Sequence, residues 1–346
     1  MTTGHDVDVL VAGGGPVGLA TAVLASRAGL STLVVERRHG PVDKACGEGL
    51  MPGALAAVRD VGADPKGRDF FGIRYVSAGG EQSAEARFAA GPGRGVRRTE
   101  LSRCLADAAD AAGVKRVEGT LDDVRQEVGA VRAGGFRARW LVAADGLHST
   151  VRGELGLGGK PSRRPRYGLR QHFCVEPWAD LVEVHWAAQA EAYVTPVGDG
   201  LVGVAVLTGV RGRSYDAWLA EFPALRERLS GADPASEVLG AGPLEQNVQR
   251  RVAGRVLLVG DAAGYVDALT GEGIAVGLAE ARVLVDCLAR GRPDEYERAW
   301  RSVSRRYRLL TRAVLVAAQH ERLRRAVVPA AARLPMVFRA AVDALA

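Results

Sequence analysis

The feature that most constrains this chain is Gly13-Gly14-Gly15-Pro16-Val17-Gly18, a GxGxxG run set between an apolar stretch and a helical pattern. Val7 to Ala12 read as a short buried strand. Pro16 to Ala28 read as a helix, with Val17, Leu19, Ala20, Val23 and Leu24 spread as on a buried one, and Gly29 ends it. Ser31 to Glu36 form a second apolar strand. Strand, tight turn, helix and parallel strand in so short a span make a βαβ unit. Gly13 permits the bend, Gly15 lets the backbone approach a pyrophosphate, and Gly18 allows close helix–strand packing. Pro16 and Val17 open the helix, whose N-terminus attracts an anion. Glu36 lies eighteen residues past Gly18, where its carboxylate can accept hydrogen bonds from ribose hydroxyls, with Arg37 beside it. An acid there disfavours a 2′-phosphate, and so NADP. A glycine-rich turn alone would say little; this frame specifies a dinucleotide site.

The rest of the chain leaves that unit and returns to it. Residues 37–50 are polar and glycine-bearing, hence a loop, and a helix follows from Pro52 to Val61. Residues 69–97 read as short strands separated by glycine turns. Thr99 caps a helix running to Ala112, and Arg139 to Ala144 has the pattern of a core strand. Between 160 and 250, alternating stretches (Leu181–Trp186, Ala192–Pro196, Leu201–Leu207) indicate a mostly antiparallel sheet, interrupted by one helix from Tyr215 to Leu229. Residues 255–260 form a buried strand again, and the remainder is helical. The expected division is a discontinuous nucleotide domain (1–160 and 250–290), a sheet domain (161–249, using part of 69–97) and C-terminal helices (291–346).

Two further motifs distinguish NAD from FAD. Ala144-Asp145-Gly146-Leu147-His148-Ser149-Thr150-Val151-Arg152 follows a core strand and resembles the Asp-Gly segment of the flavoprotein aromatic hydroxylases. Gly254 to Gly264, containing Gly260-Asp261-Ala262, is similar to that family's second Gly-Asp motif. The resemblance implies that Asp145 sits near the pyrophosphate, that Asp261 contacts the flavin ribityl chain, and that FAD is the cofactor. Two flanking segments resemble the geranylgeranyl reductases of the same superfamily. These are Lys44-Ala45-Cys46-Gly47-Glu48-Gly49-Leu50-Met51-Pro52 and Ala268-Leu269-Thr270-Gly271-Glu272-Gly273-Ile274, with Ala268 replacing the usual proline. They imply that Gly47, Gly271, Gly273 and Ile274 approach the flavin, the latter three at the positive end of a helix dipole. Arg98 stands where these flavoproteins place an FAD-contacting arginine, although a surface arginine beside a helix cap would read the same. The implied fold is α/β, with a Rossmann-like FAD-binding domain of the glutathione-reductase type, an inserted mostly antiparallel substrate sheet and a helical C-terminus.

The reaction is less determined. Cys46 and Glu48 are the catalytic candidates, because the family loop lies close to the flavin. A lone cysteine is also often a small packing residue. Arg170, Gln171, His172, Trp186 and Tyr193 lie on predicted strands that could wall a substrate pocket. If the first three share a strand, Arg170 and His172 take one face and Gln171 the other. The Tyr-x-Trp-x-Phe-Pro stretch of the archaeal reductases is reduced here to Tyr193-Val194-Thr195-Pro196, which argues against an isoprenoid substrate. On that balance the expectation is a monooxygenase hydroxylating or epoxidising a small, largely apolar molecule. The alternatives are a C=C reductase of the geranylgeranyl reductase type and a non-redox, cyclase-like use of FAD as scaffold. Reducing equivalents would come from transiently docked NAD(P)H or a reductase partner.

Bulk properties fit an ordinary globular enzyme: 47% apolar, 25% charged, formal charge +6. The basic residues read as a solvated surface plus an anion site, which sets nucleic acid aside. Cys46, Cys104, Cys174 and Cys287 form no CxxC pair, so neither a metal site nor a disulfide framework is expected. No secretory leader or bilayer-length apolar run is legible, and a cytoplasmic protein is the expectation. The arginine- and alanine-rich stretch from Leu309 to Leu345 could lie on a membrane surface, but packing on its own domain is the preferred reading. Oligomeric state is not encoded legibly.

Overall fold

The computed structural model describes residues 6–344; Leu345, the expected end of the last helical stretch, lies outside them. Five parallel strands form the nucleotide half, in spatial order Lys115–Glu118, Thr32–Glu36, Val7–Ala12, Phe136–Ala143 and Val256–Leu258. Val9, Leu10, Leu141, Val142 and Leu257 are wholly buried, as strands covered on both faces must be. The helices Pro16–Arg27 and Gly273–Ala289 pack against each other beside the sheet. The expected strand at 255–260 is shorter than predicted, because Gly260 takes φ +62° and opens a 3₁₀ turn at Gly260–Ala263.

The second sheet carries Tyr167–Cys174, Leu201–Thr208, Ala190–Gly198 and Val182–Trp186 as antiparallel neighbours. Gly72–Ser77 joins it parallel to Val182–Trp186 and forms a hairpin with Ser83–Arg87. The predicted helix 215–229 is two helices, Tyr215–Leu219 and Pro223–Arg228. Pro223 lacks an N–H and biases the residue before it out of the helical region; Phe222 has φ −123° and ψ 71°. The C-terminal stretch likewise divides into Tyr296–Gln319, Glu321–Arg333 and Pro335–Asp343, with Pro335 breaking the chain after Leu334. These helices lie across the second sheet, where Phe338, Val328, Ala331 and Val342 share a core with Val182 and Val184. None of the described helices is long and apolar enough to cross a membrane.

Candidate active site

The carboxyl ends of the parallel strands converge on one end of a cavity of about 880 Å³, as ligand clefts do in open α/β sheets. Gly13 holds φ +102°, and a Cβ there would lie 2.6 Å from the Ala144 carbonyl oxygen. A Cβ on Gly18 would meet the Gly13 carbonyl at 2.0 Å, so both positions exclude any larger residue. Gly15 has nothing within 4 Å of its missing Cβ and leaves a bare backbone surface toward the cavity. Glu36 accepts the Gly14 N–H at 2.8 Å and the Arg38 N–H at 3.1 Å, so it fixes the turn while lining the cavity beside Arg37. Pro16 and Val17 line the same end.

Two buried polar atoms at this end lack protein partners. Arg98, in the first turn of the helix Arg98–Ala111, is buried, and its Nη1 makes no hydrogen bond. Asp145 accepts from Thr150 Oγ1 and the Val151 N–H through Oδ2, both at 3.2 Å, but its Oδ1 is unpartnered. Both residues line the cavity. An orphaned donor and an orphaned acceptor around a cradle of bare glycine backbone fit the pyrophosphate and hydroxyls of a dinucleotide, since such groups are costly to leave unpaired. Asp261 is about one-third exposed, with Lys44 Nζ at 4.0 Å. The Gly260 N–H donates at 2.9 Å to the buried Glu280 carboxylate, whose pKa is pushed up by burial to about 8. Gly271, Gly273 and Ile274 line the cavity at the N-terminus of the helix Gly273–Ala289.

Arg152, to which sequence reasoning assigned no role, ties these motifs together. Its guanidinium donates to the carbonyls of Leu147 (2.7 Å), Ala262 (3.1 Å) and Asp261 (3.3 Å) and to Gln246 Oε1 (2.8 Å). The turn after Asp145 is therefore stapled to the turn holding Asp261. Its place at the end of the Asp145 motif was the available signal.

The loop 43–50 brings Cys46, Gly47 and Glu48 to the cavity wall. Glu48 takes φ +59°, uncommon for a residue with a side chain, and is held by its own bonds. Oε1 accepts from the Arg98 N–H at 2.7 Å, and Oε2 meets His172 Nε2 at 2.5 Å. His172 in turn contacts Arg170 at 3.0 Å, and Arg170 binds the Asp43 carboxylate and the Lys44 carbonyl. Arg170 and His172 thus do not wall the substrate pocket as expected; they are buried beneath the loop and anchor it. Gln171 points to the other face and donates to the Ser236 carbonyl at 3.0 Å. Cys46 Sγ accepts from the Glu48 N–H at 3.4 Å, and burial pushes its thiol up, which opposes a nucleophilic thiolate.

Beyond the loop the cavity is apolar. Ile73, Val182, Val184, Ala205 and Leu207 form one wall and Val314, Val327, Ala331, Phe338 and Val342 the other. Tyr193 lines it, donating its hydroxyl to the Leu269 carbonyl at 3.0 Å. Trp186 does not line it; the indole is buried edge-on to Tyr75, 5.4 Å between ring centres, and Tyr75 takes the wall position. Thr195, two residues from Tyr193 and so on its face, also lines the cavity and donates to the Gly47 carbonyl at 2.7 Å. Burial raises the phenols of Tyr193 and Tyr265 well above their ordinary value and that of Tyr75 to about 12. These three phenols keep their protons at neutral pH. Among the described residues, no cluster of three or more His, Cys, Asp and Glu is arranged to hold a metal.

Residues 6–200 match the model of a family described as an FAD binding domain. The menaquinone reductase of Mycobacterium tuberculosis is 30% identical over 90% of this chain and 85% of its own length. A digeranylgeranylglycerophospholipid reductase of Methanopyrus kandleri is 28% identical over 80% of this chain and 79% of its own. Among solved structures, a flavoprotein/dehydrogenase from Cytophaga hutchinsonii superposes with a TM-score of 0.82 at 20% identity, covering 98% of this chain and 92% of that one. The flavin-dependent halogenase CmlS superposes at 0.77 with 20% identity, over 92% and 67% respectively, which speaks to fold alone. The chain belongs to the FAD binding domain family and is an FAD-dependent oxidoreductase, homologous to menaquinone and geranylgeranyl reductases.

Proposed function

We propose that this oxidoreductase reduces a carbon–carbon double bond in a substrate carrying a long apolar tail. The observation that carries this reading is the continuity of the cavity. One end is the glycine and arginine cradle; the other runs between the sheet and the C-terminal helices past Val184, Leu207, Val327, Ala331 and Phe338. A hydrocarbon chain gains about 0.8 kcal/mol for each methylene buried there. Gly13, Gly15, Glu36, Arg98, Asp145 and Asp261 would hold the FAD, which supplies a hydride when bound and reduced. The chain's own part is to seat the tail, exclude water and provide a proton to the second carbon. Tyr193 and Tyr265 face the cavity in protonated form, which suits donation and does not suit a base. The names of the homologous reductases, together with the segments around Cys46 and Gly271, weigh toward reduction over the oxygenation that the altered sheet motif suggested. Electrons reach the flavin from NAD(P)H docking transiently or from a reductase partner.

The test is tail-length dependence. FAD-loaded protein, reduced without oxygen, is mixed with unsaturated substrates of one headgroup and increasing tail length. Flavin reoxidation should quicken as the tail grows and should vanish with saturated analogues. Equal rates for short, water-soluble substrates would contradict the reading.

A further inference from the structure

The chain's positive charge is unevenly placed. From Arg305 to the C-terminus there are nine arginines against two acids, Glu321 and Asp343, a net +7, while the whole chain carries +6, so the preceding 304 residues sum to −1. The same segment forms the three helices that roof the cavity. It also carries most of the large apolar side chains left in solvent, with Met336 76% and Val337 63% exposed and Leu309, Val316, Leu323 and Leu334 exposed as well. Leu334 and Val337, on either side of Met336 in sequence, also line the cavity, so exposed apolar side chains stand at its rim. Exposed arginines interleave with it in sequence: Arg312, Arg322, Arg333 and Arg339 each lie within three residues of an exposed apolar side chain.

We propose that this face docks on an anionic lipid bilayer, with Leu334, Met336 and Val337 entering the acyl boundary and the surrounding arginines meeting headgroups. Apolar insertion and basic attraction are the two contributions by which a helix lies in a membrane interface. A nucleic acid would use the arginines and leave the apolar rim in water. A second copy of the chain would cover the rim by bringing two arginine-rich surfaces together. Docking this way places the open end of the cavity against the hydrocarbon layer, so a lipid-tailed substrate enters without crossing water. That consequence rests on the proposed function; the docking itself does not.

Flotation of the FAD-loaded protein with vesicles tests the proposal. Phosphatidylcholine vesicles containing roughly one-third phosphatidylglycerol should carry it up, while pure phosphatidylcholine should carry about tenfold less at moderate salt. Met336→Asp, and separately Arg322→Glu with Arg333→Glu, should each lower the bound fraction about tenfold, with flavin content and melting unchanged. Three results would overturn the proposal. They are equal binding to neutral vesicles, wild-type flotation of both correctly folded variants, and salt-sensitive binding of random duplex DNA that outcompetes the vesicles. A stable dimer in light scattering that Met336→Asp splits would replace the bilayer with a second copy. Because flotation needs no turnover, failure of the reductase reading and failure of docking are separate results.

Discussion

The two ends of the cavity are built on opposite principles. The cofactor end is made of backbone: Gly13 and Gly18 stand where a Cβ would meet a carbonyl oxygen, and Glu36 and Arg152 hold turns by bonding main-chain atoms. The tail end is made of side chains, valine, alanine, leucine and phenylalanine from strands and helices far apart in sequence. Backbone geometry admits few residue types, whereas an apolar wall accepts any of several with the right volume. The first end should fail abruptly under substitution and the second by degrees.

The sharpest break is expected at Gly18. Gly18→Val places atoms against the Gly13 carbonyl and should abolish retained flavin, lowering FAD affinity on the order of a hundredfold or more. Flavin absorbance after purification reads this directly. Arg98→Ala comes next: loss of a charge-assisted partner, about 1.5–3 kcal/mol, should weaken FAD ten- to hundredfold with the fold intact. Titration of apoprotein checks it. At the other end, Val184→Trp should fill the tail wall and raise KM for long-tailed substrates about tenfold, leaving FAD affinity unchanged. Val184→Ile adds one methylene toward the open cavity and should move either quantity little.

The buried acids add a pH dependence between the two ends. Burial raises Glu280 to about 8, Glu272 to about 7 and Asp267 to about 6. Each binds its proton more tightly folded than unfolded, so the stability they contribute is full below about pH 4 and is lost as pH rises through these values. Tm should therefore fall by several degrees from about pH 6 to pH 9. Glu280→Gln, which keeps an acceptor for the Gly260 N–H, should flatten the fall. The smallest effect is expected at Cys46, whose thiol is held up by burial. Cys46→Ser should change kcat less than about threefold.

The same contrast explains what could be read from sequence. The βαβ unit, the Asp145 and Asp261 turns and the glycines at Gly271 and Gly273 were legible, because each motif is a local backbone requirement. The tail wall was not, because Val184 and Phe338 are 154 residues apart and are brought together by packing alone. Arg170 and His172 read as pocket residues because they share one face of a predicted strand that could wall the substrate pocket. Their partners, Asp43 and Glu48, lie over a hundred residues away, and only the assembled fold shows them anchoring a loop. Trp186 and Tyr75 are neighbours across two strands, and which ring faces the cavity depends on a parallel pairing that alternation could not register.

If the cavity works as proposed, its apolar end presents a double bond to the flavin for reduction. A single anaerobic turnover of reduced, FAD-loaded protein with an unsaturated long-tailed substrate, followed by mass analysis of the product, tests it most directly. The expected product gains two hydrogens, one delivered as hydride by the reduced flavin to one carbon and one as a proton to the other, with no need for oxygen. A substrate untouched without oxygen, and gaining one oxygen atom when air is admitted, would contradict it.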